Sequence, residues 1–303
     1  MGAAEEVVSM MNNKAILLMG WENYKESEQC FRQALLVAQG AVKNGDTKRM
    51  PMKFGEDIPS GRSYVKSLQT NLLNLLSPSS KTFVDNVSNY RPEYDEGMDN
   101  FKDPFDLLNK SKNMIGTILF NMGRLAQNQR RFRDALKFYW ESLIALKFVG
   151  TQSEPAECAA LFCIGQIQYI SGDFESSLAT YHMALPLAAT VFGSESIEVA
   201  ACHNCIGILH YVSAKGDNET GMKALQKSLH LRLNQQGRDH LDVGTTWNNI
   251  GRLYFHDSKY FCALTAYDEA LRIRKLHHRE SADVAATLFN IGQIYPQDGR
   301  LEK

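Results

Sequence analysis

Carboxamides recur in this 303-residue chain at a fixed place relative to glycine. Asn121, Asn249 and Asn290 stand two residues before Gly123, Gly251 and Gly292, and Asn13 stands likewise before Ala15; Cys163 and Cys205 hold that place before Gly165 and Gly207. One residue earlier come Asn12, Phe120, Phe162, Asn204, Asn248 and Phe289. One residue after the glycine come Arg124, Gln166, Ile208, Arg252 and Gln293. A carboxamide donates and accepts at once, so a row of them matches the backbone of an extended peptide whatever its side chains. Guanidinium forks beside such a row favour carboxylates, and phenylalanines supply apolar anchors. The same residues have a plainer use, with Asn capping or solvating a helix face and arginines standing in water beside structural phenylalanines. Both readings remain open at the level of sequence, and the two cysteines interrupt the amide row in its middle.

Other reactive residues carry less. Cys202 and Cys205, with His203 and His210 nearby, have the spacing of residues on one helix face, but a structural zinc site needs two further ligands and Cys163 is the one obvious recruit. Ordinary buried thiols are the expectation, with no metal and no cofactor. No phosphate-cradling glycine loop, nucleophile elbow, metalloprotease helix or cysteine with a fixed base is visible, so no catalytic residue is assigned. The basic string RIRKLHHR, 272 to 279, reads as a solvated helix end whose cations complement the helix dipole, with a local patch for an acidic partner as the alternative.

What positions these residues is a repeat. Gly123, Gly165, Gly207 and Gly251 follow one another at intervals of 42, 42 and 44 residues, the last stretched by two residues around Asp217. An apolar residue precedes each glycine, and after Gly123, Gly165 and Gly251 an aromatic follows nine residues later, with small, aromatic and small residues at twelve, sixteen and nineteen. The series reads Met122, Gly123, Phe132, Ala135, Tyr139, Ser142; then Ile164, Gly165, Phe174, Ser177, Tyr181, Ala184; and Ile250, Gly251, Tyr260, Ala263, Tyr267, Ala270. Glycine and the small residues let two helix backbones approach closely, and the aromatics fill the space beside them. Asn12, Asn13, Ala15, Tyr24, Ser27, Phe31 and Ala34 repeat the pattern near the N-terminus without the glycine.

The pattern resembles the tetratricopeptide repeat, in the 42-residue version of kinesin light chains and related scaffolds; the strings GRDHLDVGTTWNNIG (237 to 251) and ESADVAATLFNIG (280 to 292) carry that likeness. The resemblance implies an all-α, right-handed superhelix of antiparallel helix pairs. It also implies that the position two before the glycine faces the inside of the superhelix, where asparagines grip a peptide backbone. On that basis Asn121, Arg124, Gln166, Asn204, Asn248, Asn249, Arg252 and Asn290 are the expected peptide-binding groove. The lysine and asparagine clamp of chaperone-binding relatives does not map onto these positions.

The expected organisation is a first helix pair over 1–40, a Pro-rich and largely irregular insertion over 41–110, and an array over 111–303. The array holds four helix pairs plus the first helix of a truncated further repeat, whose Ile291, Ile294 and Tyr295 would lack their cover. Pro296 should kink that helix. Five of the eight prolines fall in the insertion, where 63–76 alone looks helical. Its end, 89–108, alternates Tyr90, Tyr94, Phe101 and Phe105 with carboxylates. That segment could anchor outside the array, recruit a partner or lie in its own groove.

Charge and composition narrow the partners. Lys and Arg (33) balance Asp and Glu (34), which gives no general field for nucleic acid or anionic lipid, and no apolar run approaches the roughly 18 residues of a membrane span. Six scattered cysteines in helix-like stretches suit free thiols in a reducing compartment, so the expected location is cytoplasmic. The sequence therefore points to a non-enzymatic scaffold or adaptor that binds an extended, possibly acidic segment of another protein, without nucleic acid or membrane insertion. The rival reading is the sensor or targeting region of a larger enzyme.

Overall fold

The computed structural model describes residues 2–45, 104–147, 154–213, 217–277 and 281–297. Every regular element among them is a helix: α1 (Gly2–Gly20), α2 (Tyr24–Gly45), α3 (Pro104–Asn128), α4 (Phe132–Lys147), α5 (Glu154–Ile170), α6 (Phe174–Phe192), α7 (Ile197–Val212), α8 (Asn218–Gln236), α9 (Leu241–His256), α10 (Tyr260–His277), α11 (Ala282–Gly292) and α12 (Ile294–Gln297). Contacts divide these residues into two compact units, the first ending at Ile167 and the second beginning at Gln168. Helices α2 and α3 reach into the Pro-rich stretch from both ends. The helix read at 63–76 and most of the acidic, aromatic segment 89–108 lie outside the described residues.

Three of the turns between paired helices share one design. The second residue of each adopts a left-handed conformation, Glu22 at φ 59°, Arg130 at φ 58° and Ser258 at φ 57°, with Gly172 at φ 78° filling the same role before α6. The amide after it bonds back five residues, Asn23 to Leu18, Arg131 to Ala126, Asp173 to Gln168 and Lys259 to Tyr254. These bonds satisfy carbonyls that the helix end leaves orphaned. The turn before α8 is longer, because the two extra residues lie there. Its Asp217 accepts hydrogen bonds from the Glu219 and Thr220 amides and so starts the helix.

In the first unit α1 packs on α2, α2 on α3 and α3 on α4. A Cβ on Gly123 would sit 2.6 Å from the Tyr139 ring, so the glycine is what admits that side chain; one on Gly116, seven residues earlier, would sit 2.7 Å from Leu146. Ala15, Phe31, Ala34 and Ala135 are fully inaccessible to solvent. Small hydroxyl residues serve as well as alanine because they bond across the crossing, Ser27 Oγ to the Ala15 carbonyl (2.8 Å) and Ser142 Oγ to the Gly116 carbonyl (2.7 Å).

In the second unit α6 packs on α7, and α7 to α11 pack in succession. Gly207 receives Leu225, and Gly251 receives Tyr267, where added Cβ atoms would meet the incoming side chains at 2.5 and 2.7 Å. Ser177, Ala263 and Ala270 are inaccessible to solvent, as the repeat register requires. α11 stops at Gly292 and the short α12 follows, a break in which Pro296 has no N–H to return to the Gly292 carbonyl. Two expectations are corrected here. Ile291 and Ile294 are buried against Ala263 and Tyr267, leaving Tyr295 with Leu288 and Phe289 exposed. Arg274, read as a solvated helix end, is buried and bonds to the Asp283 carbonyl at 2.9 Å.

Candidate interaction surface

The amides are brought together in pairs that join neighbouring repeats. In the first unit Asn121 Nδ2 donates to Asn12 Oδ1 at 3.0 Å, while Asn13 stays exposed. In the second, Asn249 Nδ2 donates to Asn204 Oδ1 at 3.0 Å and Asn290 Nδ2 donates to Asn248 Oδ1 at 3.2 Å. The rule is constant: the residue two before one anchor bonds to the residue three before the preceding anchor. In the sequence register Phe120 and Phe162 are followed one repeat on by Cys163 and Cys205, so the two columns change from amide to apolar together. Sequence reading treated the two columns separately and missed this pairing.

Four of these amides are both buried and paired. Asn121, Asn204, Asn248 and Asn249 are each at least nine-tenths buried, and each is engaged by one amide bond. A carboxamide has two donor hydrogens and two acceptor lone pairs, so one structural bond fixes the side chain's orientation and leaves part of its hydrogen-bonding capacity unused. Asn204 Nδ2 and the Tyr211 hydroxyl are buried with no hydrogen-bond partner among the described residues.

The positions one after the anchor behave differently. Arg124, Gln166 and Arg252 are half-buried. In the first unit Gln166 Oε1 accepts from Gln127 Nε2 at 3.0 Å, and Gln127 Oε1 accepts from the Tyr139 hydroxyl at 2.8 Å. In the second the Arg252 guanidinium lies 5.1 Å from the centre of the Tyr211 ring, a cation–π contact that holds the fork in place without using its hydrogens. Burial raises the Tyr211 phenol well above its ordinary value, with Arg252 pulling the other way.

Five of the six cysteines are buried and Cys262 is exposed. Burial pushes Cys163 up to about 12, outweighing the hydrogen bond with Tyr139 and the charge of Arg124, both of which favour the thiolate. Among the described residues no group of three or more His, Cys, Asp or Glu could hold a metal ion, and no helix is long and apolar enough to cross a membrane.

A second set of contacts joins helix pairs away from the amide rows. Arg232, on α8, is 1% exposed; its Nη1 donates to the Asp242 carbonyl and to Thr246 Oγ1, each at 2.8 Å. Arg274, on α10, does the same to Asp283 and Thr287. Burial pulls both guanidinium groups down from their ordinary value, and Asp242 and Asp283 oppose it. These arginines serve the stack and are withdrawn from any ligand.

Residues 242–303 match a family model described as tetratricopeptide repeat, and residues 8–39 match a second model of the same description. The chain is similar to the Clustered mitochondria protein homolog of Danio rerio, 24% identical over 177 residues that cover 58% of this chain and 12% of that protein. It is also similar to Protein KINESIN LIGHT CHAIN-RELATED 3 of Arabidopsis thaliana, 27% identical over 175 residues, 57% of this chain and 26% of that one. The chain therefore spans well under two thirds of either relative's length. Among solved structures, BtubC (BKLC) from P. vanneervenii superposes with a TM-score of 0.52 at 20% identity, covering 73% of this chain and 82% of that one. A kinesin light chain with nearly identical TPR-like repeats from Podosopora anserina gives 0.53 at 9% identity, covering 90% and 97%. These structural likenesses show the fold.

Proposed function

We propose that this chain, a tetratricopeptide repeat protein of the kinesin-light-chain-like type, is a non-catalytic cytoplasmic scaffold that holds an extended segment of a partner protein along the first helices of its repeats. The observation that carries this reading is the Arg252 guanidinium, half-buried and held over Tyr211, beside amides whose orientation is already fixed by Asn249–Asn204 and Asn290–Asn248 bonds. Groups ordered before binding lose little entropy on meeting a peptide, which favours binding over mere solvation. In the first unit Arg124 stands three residues after Asn121, as Arg252 stands after Asn249, and Gln166 holds the same place in the next repeat.

Guanidinium groups beside amides suit a segment with carboxylates and a few apolar anchors. The chain itself contains such a segment at 89–108, which supplies the first probe. Fluorescence anisotropy with a labelled peptide of that sequence, and with a scrambled and a Lys-substituted version, tests the reading. Arg252→Glu should weaken binding by on the order of tenfold or more, since it replaces attraction with repulsion, and the wild-type affinity should fall between low and moderate salt. Equal affinity for the acidic and the Lys-substituted peptides, or no effect of Arg252→Glu, would overturn the acidic-segment reading.

A further inference from the structure

A polar chain runs out of the core of the first unit and ends at a half-buried groove position. Tyr139, on α4, is fully inaccessible to solvent, and its ring is held between Gly123, where a Cβ would lie 2.6 Å away, and the Phe120 ring at 5.4 Å. Its hydroxyl donates to Gln127 Oε1 at 2.8 Å, and Gln127 Nε2 donates to Gln166 Oε1 at 3.0 Å. The same hydroxyl is hydrogen-bonded to Cys163, whose buried thiol keeps its proton. A phenol has one proton and a carboxamide oxygen can only accept, so Tyr139 gives its proton to Gln127 and takes the Cys163 S–H on its oxygen. That sets the sense of both carboxamides in turn. Gln166 is left half-buried, with its oxygen engaged and its Nε2 hydrogens without a partner among the described residues.

The second unit supports its groove cation in the same register. Tyr211, four after one anchor, lies under Arg252, one after the next, as Gln127 lies against Gln166. The residue four after an anchor is thus the support of the candidate groove residue on the following repeat. An unsupported carboxamide turns over and receives donors and acceptors alike, whereas one whose oxygen faces its neighbour presents its hydrogens. Arg124, at the Gln166 position one repeat earlier, can likewise only donate. On the basis of the peptide-binding role, we propose that Tyr139 is a positioning residue: through Gln127 it fixes Gln166 as a hydrogen-bond donor to the bound segment, so that the first unit takes a carboxylate at that place and turns away an ammonium.

Fluorescence anisotropy of the 303-residue chain with labelled 89–108 peptides tests this, each carboxylate of the peptide being changed in turn to lysine. The carboxylate that faces Gln166 is the one whose replacement loses most of its effect in Gln166→Ala. At that place the wild type should prefer the carboxylate to lysine by about tenfold or more. Tyr139→Phe should cut the preference to about threefold or less, although the missing hydroxyl is buried and cannot touch the peptide. The phenyl ring still fills the space beside Gly123, and preferences at the other carboxylates should stay as in the wild type, which a general loosening would not allow. Should Tyr139→Phe fold poorly, Gln127→Met gives the same answer, since methionine holds that register place in the first repeat, at Met19. A wild type that does not bind the 89–108 peptide overturns the peptide-binding role, and the positioning by Tyr139 with it. Binding with no carboxylate coupled to Gln166, lysine preferred at that place, or a preference unchanged by both variants leaves the role standing and overturns the positioning.

Discussion

Replacing one helical glycine by alanine should stabilise this protein, and replacing another should destabilise it, although the chemical change is identical. Within α2, Gly40 has nothing within 4 Å of an added Cβ. Gly40→Ala therefore gains only helix propensity, about 0.5–1 kcal/mol, mainly by narrowing the unfolded ensemble. Gly251→Ala gains the same term, but its Cβ would lie 2.7 Å from Cδ1 and Cε1 of Tyr267 and 3.1 Å from Cγ. Carbon pairs rest at about 3.5–4.0 Å, so the ring must retreat by the better part of an ångström. Tyr267 is 2% exposed and packed against Ile291 and Ile294, which leaves it little room to move. Overpacking of this kind costs about 1–3 kcal/mol, and a ring with so little room puts this crossing in the upper part, about 2–3 kcal/mol; against about 1 kcal/mol gained, the balance for Gly251→Ala is a net loss of about 1–2 kcal/mol. At about 2–4 °C per kcal/mol for a domain of this size, thermal melts followed by circular dichroism should move down by about 2–8 °C for Gly251→Ala and up by a few degrees for Gly40→Ala. Truncating the ring with Tyr267→Leu should recover part of the Gly251→Ala loss in a double-mutant cycle. A Gly251→Ala protein as stable as the wild type would refute the close crossing and the register built on it.

The amide pairs predict a second reciprocal effect. Asn249→Cys alone leaves the buried Asn204 carbonyl without its donor and should cost about 1–3 kcal/mol, whereas adding Asn204→Phe, which recreates the Phe120 and Cys163 combination, should recover much of it; additive losses in urea titrations would count against pairing. Stability should also fall on mild acidification. Burial lowers the pKa of His203, reinforced by Lys227 and His182, and burial likewise lowers His182 and His210 below the ordinary 6.5. Below that value the unfolded chain binds protons that the folded chain refuses, so the stabilisation present above 6.5 is lost as pH drops through the folded values. Melting temperatures measured from pH 7.5 to 5 should decline, and His203→Gln should flatten the slope. The carboxylates Asp217 and Asp257, held below 3.8, contribute only in stronger acid. A slope unchanged by His203→Gln would remove that histidine from the account.

The glycine, small and aromatic series was legible because each member meets its partner within one helix pair, sixteen or so residues away. Gly123 and Tyr139 or Gly251 and Tyr267 can be matched by counting along one segment. The contacts that join successive repeats were harder to read because neither column means anything alone. An arginine near the end of a second helix looks solvated until it is set beside the residue five before the next anchor. Arg232 then goes with Thr246 and Arg274 with Thr287, while Leu146 and Ala160, and Ala188 and Cys202, hold the same register places in other repeats, all buried. A guanidinium can enter that interface only where a threonine hydroxyl and the carbonyl four residues before it are there to receive it. The amides follow the same logic one layer over. An isolated Asn249 reads as a ligand for a peptide, and Asn249 with Asn204 reads first as a bond between repeats. A ligand that reaches these rows meets amides already oriented by their neighbours, so changing one member of a pair alters both the stack and the surface it presents.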